Sequence, residues 1–312
     1  MKQIIAQVKP YLRWFILGGT LFFLLKTFKD RFAEISHINI SPQGWWLLAI
    51  AYCFTFLAHI WSGWVWTGIL AIFQQSLGTF KGITIYLITN IAKYLPGNVW
   101  HFYGRISAIR QHGGSIGAAT LSVVLEPLLM AAAALLIAII STLLGLVETS
   151  LSFPLFFGQI VALIAVLVGI HPRILNPLLH RLSKSKGEGD VSKVSLKTYP
   201  LLPFLGEIGF VLLRGTGFLF TVMALQTVNP GDIPTLLSAF SIAWLLGLIV
   251  PGAPGGVGVF EATAIALLPE TVLPQGTVFL SVALYRVISL LAEAIAAGLA
   301  WVVEKVNVKR LN

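Results

Sequence analysis

Val250-Pro251-Gly252-Ala253-Pro254-Gly255-Gly256-Val257-Gly258 breaks an otherwise apolar stretch that runs from Ile233 to Val250 and resumes from Val257 to Leu268. Proline removes a backbone donor and fixes φ, and glycine tolerates conformations closed to other residues, so a helix cannot continue through this segment. A second break has the same plan. Phe80 to Leu95 meets Pro96-Gly97, and the chain goes on as Asn98 to His112. Backbone left bare in lipid costs several kcal/mol per group, so such breaks persist only inside protein or beside a wet cavity. The two segments, 80–112 and 233–268, therefore read as re-entrant helical hairpins whose halves are too short to cross a bilayer with ease. The alternative is a pair of kinked helices that do cross, giving eight crossing helices.

The composition makes lipid the surrounding solvent. Of 312 residues 57% are hydrophobic and only 11% are charged, against about 25% charged in ordinary soluble domains. The mean hydropathy is +0.87. Runs of about 20 apolar residues can span a bilayer, and six segments approach or exceed that: 11–28, 44–73, 115–147, 154–171, 200–226 and 275–303. The fourth is the shortest. The expected fold is an all-α polytopic membrane protein with about six full transmembrane helices and two hairpins. Lys2, Lys9 and Arg13 precede the apolar run Trp14 to Leu25, and no small-x-small cleavage site follows, so the first span reads as an uncleaved anchor.

The net charge of +9 does not imply nucleic acid, because the basic residues lie in short loops between apolar runs and not on one face of a domain. They carry topology instead. The N-terminus, the first hairpin (Lys81, Lys93, Arg105, Arg110), the 172–198 loop and the tail (Lys305, Lys309, Arg310) fall on one side. The second hairpin holds Asp232, Glu261 and Glu270 with no Lys or Arg. Three spans separate the hairpins, so they enter from opposite faces, and both termini are expected in the cytoplasm. The polar segment 183–198 reads as a linker.

The breaks also look like copies. Pro96-Gly97-Asn98-Val99-Trp100-His101-Phe102 sets against Pro254-Gly255-Gly256-Val257-Gly258-Val259-Phe260, and Ser122-Val123-Val124-Leu125-Glu126 against Ser281-Val282-Ala283-Leu284-Tyr285. That suggests an inverted repeat, 44–147 and 200–303, within a single transmembrane domain. Transporters built this way place their substrate near the midplane, where broken helix ends meet.

Charges inside spans are costly and mark function. Glu126, Glu207, Arg214, Arg286 and Glu293 are such charges. Glu207 and Arg214 are seven residues apart, as are Arg286 and Glu293, so each pair shares a helical face. One reading is a buried ion-pair network that holds helices together. The other is a polar cavity in which guanidinium forks take a phosphate. The Pro-Gly breaks add helix N-termini able to face an anion. His101 and Arg105, one turn apart, read equally as headgroup contacts or as snorkelling side chains, and His59 reads as a packing histidine. Cys53 reads as a small apolar core residue. No His-Glu-x-x-His, acidic cluster or Gly-Lys-Ser/Thr loop is present, so no metal, cofactor or nucleotide is expected.

Lys93-Tyr94-Leu95-Pro96-Gly97-Asn98-Val99-Trp100 with Gly104-Arg105, and Pro251-x-x-Pro254-Gly255-Gly256-Val257-Gly258-x-x-Glu261, resemble the two signatures of the lysylphosphatidylglycerol synthase transmembrane family, also called flippase-like. In full-length members this region moves aminoacylated phosphatidylglycerol between leaflets, ahead of a soluble aminoacyl-transferase domain. This chain stops at Asn312, just past the last span. The resemblance therefore implies the transport half, no enzyme activity, and Pro96, Gly97, Arg105, Pro254, Gly255, Gly256 and Glu261 as functional positions. The expected protein is a lipid flippase of the cytoplasmic membrane, with phospholipid as partner. The alternatives are an ion-coupled carrier of a small polar solute, and a non-transporting partner of a separately encoded lipid or glycan enzyme. A homo-oligomer is compatible with either.

Overall fold

Ser41 starts the helical core. Its hydroxyl accepts from the Gly44 N–H at 3.0 Å, and Pro42 takes the first helical position, where a missing donor costs nothing. The computed structural model describes residues 29, 39–75, 77–95, 99–143, 153–177, 195–250 and 253–311. Among these the secondary structure is helical throughout, and the chain is an all-α polytopic membrane protein. In order the helices are α1 (Pro42–Ile72), α2 (Thr79–Asn90), α3 (Trp100–Gln111), α4 (Ile116–Leu143), α5 (Phe153–Gly169), α6 (Leu201–Met223), α7 (Ile233–Ile249), α8 (Val259–Leu267) and α9 (Gln275–Leu311).

Helices α1, α4, α6 and α9 are long and apolar enough to cross a membrane and coincide with four of the expected spans. Helix α5 is apolar but has only 17 residues, in keeping with the shortest expected span. The expected span 11–28 and most of the 183–198 linker lie outside the described residues. The end of that linker is pinned, because the Asn176 side chain bonds the Leu196 N–H at 2.8 Å and its C=O at 2.9 Å.

The centre of the molecule is the antiparallel pair α1 and α6. Close approach is possible because glycine lines the seam. A Cβ on Gly206 would lie 2.7 Å from Val65, and one on Gly217 would lie 2.5 Å from the Thr55 hydroxyl. The Trp61 indole adds a 2.7 Å hydrogen bond to the Gly206 carbonyl.

Both Pro/Gly breaks separate a helix from a returning helix. Helix α2 runs back along α1, with Gly82 against Thr67 and the Tyr86 hydroxyl 2.6 Å from Ser62. A 3₁₀ turn, Ile91–Tyr94, ends this limb, and α3 returns to the level where α2 began. There the Ser115 N–H donates to the Gln75 side chain at 2.8 Å, just beyond α1. The second break behaves alike from the other end of α1. Helix α7 runs down along α6, and α8 returns beside it, with Phe218, Phe240, Phe260 and Tyr285 joined in an aromatic knot. The tips meet, and a Cβ on Gly255 would run into the Tyr94 ring.

Two expectations change. With the 3₁₀ turn at Pro230, the first limb of the second hairpin is a 20-residue apolar segment, long enough to span, so the expectation that each half is too short fails for this limb. The return limb α8 has nine residues. Cys53 is exposed on the outer face of α1 and not in the core.

Candidate functional site

Where the hairpin tips meet, a cavity of about 540 Å³ opens among α1, α2, α3, α4, α6, α7, α8 and α9. Its polar lining includes His59, Asn90, Lys93, Arg105, Glu126, Arg214, Arg286 and Ser289, set among Met130, Phe210, Trp244, Phe260 and Tyr285. Lys93, Arg105, Glu126 and Arg286 are in ion pairs that join one element to another.

Arg105 of α3 is 1% exposed and pairs with Glu126 of α4. Its second terminal nitrogen donates to the Asn90 side-chain oxygen at 2.9 Å, and the guanidinium stacks 3.8 Å from the Tyr86 ring. Asn90 passes the contact on, its amide donating to Glu293 at 2.6 Å. Glu293 also pairs with Lys93 at 2.9 Å and accepts from the Tyr94 hydroxyl at 2.8 Å. One continuous network thus ties the first hairpin to α4 and α9.

The second hairpin has its own latch. Glu261, in the first turn of α8, accepts from the Gly258 N–H at 2.6 Å and pairs with Arg286 of α9. Arg286 also donates to the carbonyls of Gly255 and Gly256 at 3.2 and 3.3 Å. Both glycines have positive φ, +59° and +72°, a region that side chains with a Cβ rarely enter. The expected anion device at this break is therefore engaged within the protein: Glu261 takes a helix N-terminal N–H and Arg286 takes the glycine carbonyls.

Arg214 is different. It is 7% exposed and donates to Ser289 at 2.8 Å, with His59 at 3.4 Å, while its Nε has no partner among the described residues. The Tyr285 hydroxyl ties the Arg214 carbonyl at 3.0 Å, and the Tyr285 ring lies 5.2 Å from the guanidinium. No carboxylate pairs with it among the described residues.

Of the expected site residues, Arg105, Glu126, Arg214, Gly255, Gly256, Glu261, Arg286 and Glu293 converge on the cavity or its walls. Pro254 is at the tip of the second hairpin. Pro96 and Gly97 lie outside the described residues. Among the described residues the same-face pairs, Glu207 with Arg214 and Arg286 with Glu293, form no ion pairs with each other; Arg286 pairs with Glu261 of α8 and Glu293 with Lys93 of the 3₁₀ turn. Arg105 and His101 are buried in the cavity lining, so the reading as side chains that snorkel to the membrane interface is also corrected. Sequence reasoning does not single out Asn90, Lys93, Tyr94 and Ser289 as site residues. Lys93 and Tyr94 stand immediately before the first break, and that position is the available signal.

Among the described residues no group of three or more metal-ligating side chains occurs. A family model described as lysylphosphatidylglycerol synthase TM region matches residues 12–297. No curated protein matches the chain.

Proposed function

The chain belongs to the lysylphosphatidylglycerol synthase transmembrane family, and from that premise we propose that it is a lipid flippase that takes a phosphate-bearing headgroup into the central cavity. The observation that carries the reading is Arg214. Around the cavity, Lys93, Arg105 and Arg286 each face a carboxylate, and among the described residues Arg214 does not. A buried guanidinium with open donors is a strong site for a phosphate oxygen, and apolar walls accept glycerol and the upper acyl chain. The volume falls within the range of small-ligand sites, about 300–1,000 Å³. Arg105, in the same lining, becomes a second phosphate donor when it exchanges Glu126 for the ligand.

In this reading the hairpins are re-entrant. The basic first hairpin enters from the cytoplasmic face and the acidic second hairpin from the opposite one. The headgroup passes where their tips touch, at Tyr94 and Gly255, while the acyl tails stay in the bilayer.

The test is a leaflet-accessibility assay in proteoliposomes with headgroup-labelled anionic and aminoacylated lipids. Wild-type protein speeds exposure of the label. Arg214→Gln slows it by about tenfold to a hundredfold, the loss of one charge-assisted hydrogen-bonding group. Wild-type protein that accelerates no such lipid overturns the reading.

A further inference from the structure

The charges that face the cavity are unbalanced. Among the described residues its lining holds four bases, Lys93, Arg105, Arg214 and Arg286, and one acid, Glu126. The other acids of the two networks are buried and stand outside the lining, Glu293 bonded to Lys93 and Glu261 to Arg286. Glu207 is buried outside it as well. Glu126, the acid that does reach the cavity, is held by Arg105. The bases thus face inward, and most of the acids that balance them do not.

An ammonium group taken out of water needs a carboxylate, a carbonyl or an aromatic face in return. Here the protein's own cations already hold these groups. Tyr86 lies 3.8 Å from the Arg105 guanidinium, Tyr94 and Tyr285 lie 5.2 Å from Lys93 and Arg214, and Phe260 lies 5.4 Å from Arg286. Phe210 and Trp244 pack edge to face on each other at 5.5 Å. The carbonyls of Gly255 and Gly256 accept from Arg286. For a phosphate oxygen the supply is the reverse. Arg214 has no acid among the described residues, and the buried His101 Nδ1, also without a partner there, can donate to it.

We propose that the cavity selects headgroups of net negative charge, a phosphate with no ammonium to offset it, and rejects aminoacylated lipid. The inference rests on the reading of the cavity as a phosphate site and narrows it. It separates this chain from the aminoacylated phosphatidylglycerol that the resemblance implies. The phosphate of phosphatidylglycerol brings one negative charge to a lining with bases in excess. Lysylphosphatidylglycerol brings the same phosphate with two ammonium groups, so its net charge has the sign of the lining. Juxtaposed like charges are an effective way to exclude a wrong partner.

Proteoliposomes that hold either lipid test this. Periodate cleaves the glycerol diol of phosphatidylglycerol in the outer leaflet, and a membrane-impermeant amine reagent marks the lysyl group; reacted lipid is extracted and counted. Wild type speeds exposure of phosphatidylglycerol and moves lysylphosphatidylglycerol slower by about tenfold or more. Equal rates, or faster movement of the lysylated lipid, overturn the inference and leave the cavity reading standing. Movement of neither lipid overturns both.

Ser289→Asp then tests charge as the cause. It gives Arg214 a carboxylate at the position that now offers a hydroxyl at 2.8 Å, so phosphatidylglycerol slows and the preference narrows toward one. Arg214→Gln removes the same unbalanced charge without adding another. It carries the same expectation and takes the place of Ser289→Asp if that variant melts early. A preference of wild-type width in a variant that melts like wild type overturns charge as its cause.

Discussion

Arg105 shows what a single buried charge does in this protein. It joins two helices through Glu126 and a third through Asn90, and it is almost wholly enclosed. Removing one partner of a buried pair strands the other, at about 3–5 kcal/mol. Arg105→Gln strands Glu126 and is expected to cost that much. Glu126→Gln is milder, because Arg105 keeps Asn90 and its stacking on the Tyr86 ring. Thermal melting of the purified variants checks the order, and a Glu126→Gln melt as low as that of Arg105→Gln contradicts it. The sequence exposed Glu126, Glu207, Arg214, Arg286 and Glu293, because charge within an apolar run stands out. It did not expose their partners. Helical spacing pairs residues on one helix, whereas here each paired acid meets a base from another element. Arg105 and Lys93 lie in short, mixed segments where hydropathy cannot distinguish a buried cation from one at the interface.

Each return helix is held to the long helix after it by one ion pair, and the two pairs have opposite polarity. In the first hairpin the base is on α3 and the acid on α4; in the second the acid is on α8 and the base on α9. The Pro and Gly runs made both breaks legible, since proline and glycine disfavour a continuous helix. The length of the α7 limb was not legible, because the Pro230 turn that extends it sits in a segment with the composition of a loop. The α1–α6 seam supplies a test at this scale. Glycine to alanine in an open helical position gains up to about 1 kcal/mol, and Gly68 is such a position, with nothing within 4 Å of its Cβ site. Gly217→Ala puts a methyl 2.5 Å from the Thr55 hydroxyl and 3.2 Å from the Ala51 carbonyl. Overpacking of this kind costs about 1–3 kcal/mol. Melting temperature should therefore hold or rise in Gly68→Ala and fall in Gly217→Ala; a matched response would mean that the two helices are not packed through this glycine.

For the whole molecule, the hairpins matter because they approach from opposite ends of α1 and meet in the middle. The base of the first, at Ser115, is tied to Gln75 beyond the C-terminal end of α1. The second turns back near the α6 C-terminus, which lies at the N-terminal end of α1, where a Cβ on Gly44 would touch the Ala224 carbonyl. If α1 crosses the bilayer, the two bases face different compartments. His112 and Gly231 are both exposed, one at each base. Cys53 is also exposed and must be removed first. In a Cys53→Ala background, His112→Cys and Gly231→Cys are each treated with a membrane-impermeant thiol reagent, on sealed right-side-out and inverted vesicles. Position 231 is expected to react from the outside of right-side-out vesicles, and position 112 only from inverted ones, because the basic loops accompany the first hairpin and positive charge stays in the cytoplasm. Reaction of both from one side would place the two bases in the same compartment. The tips would then no longer lie between two aqueous phases, and the cavity between them would lose its role as a passage.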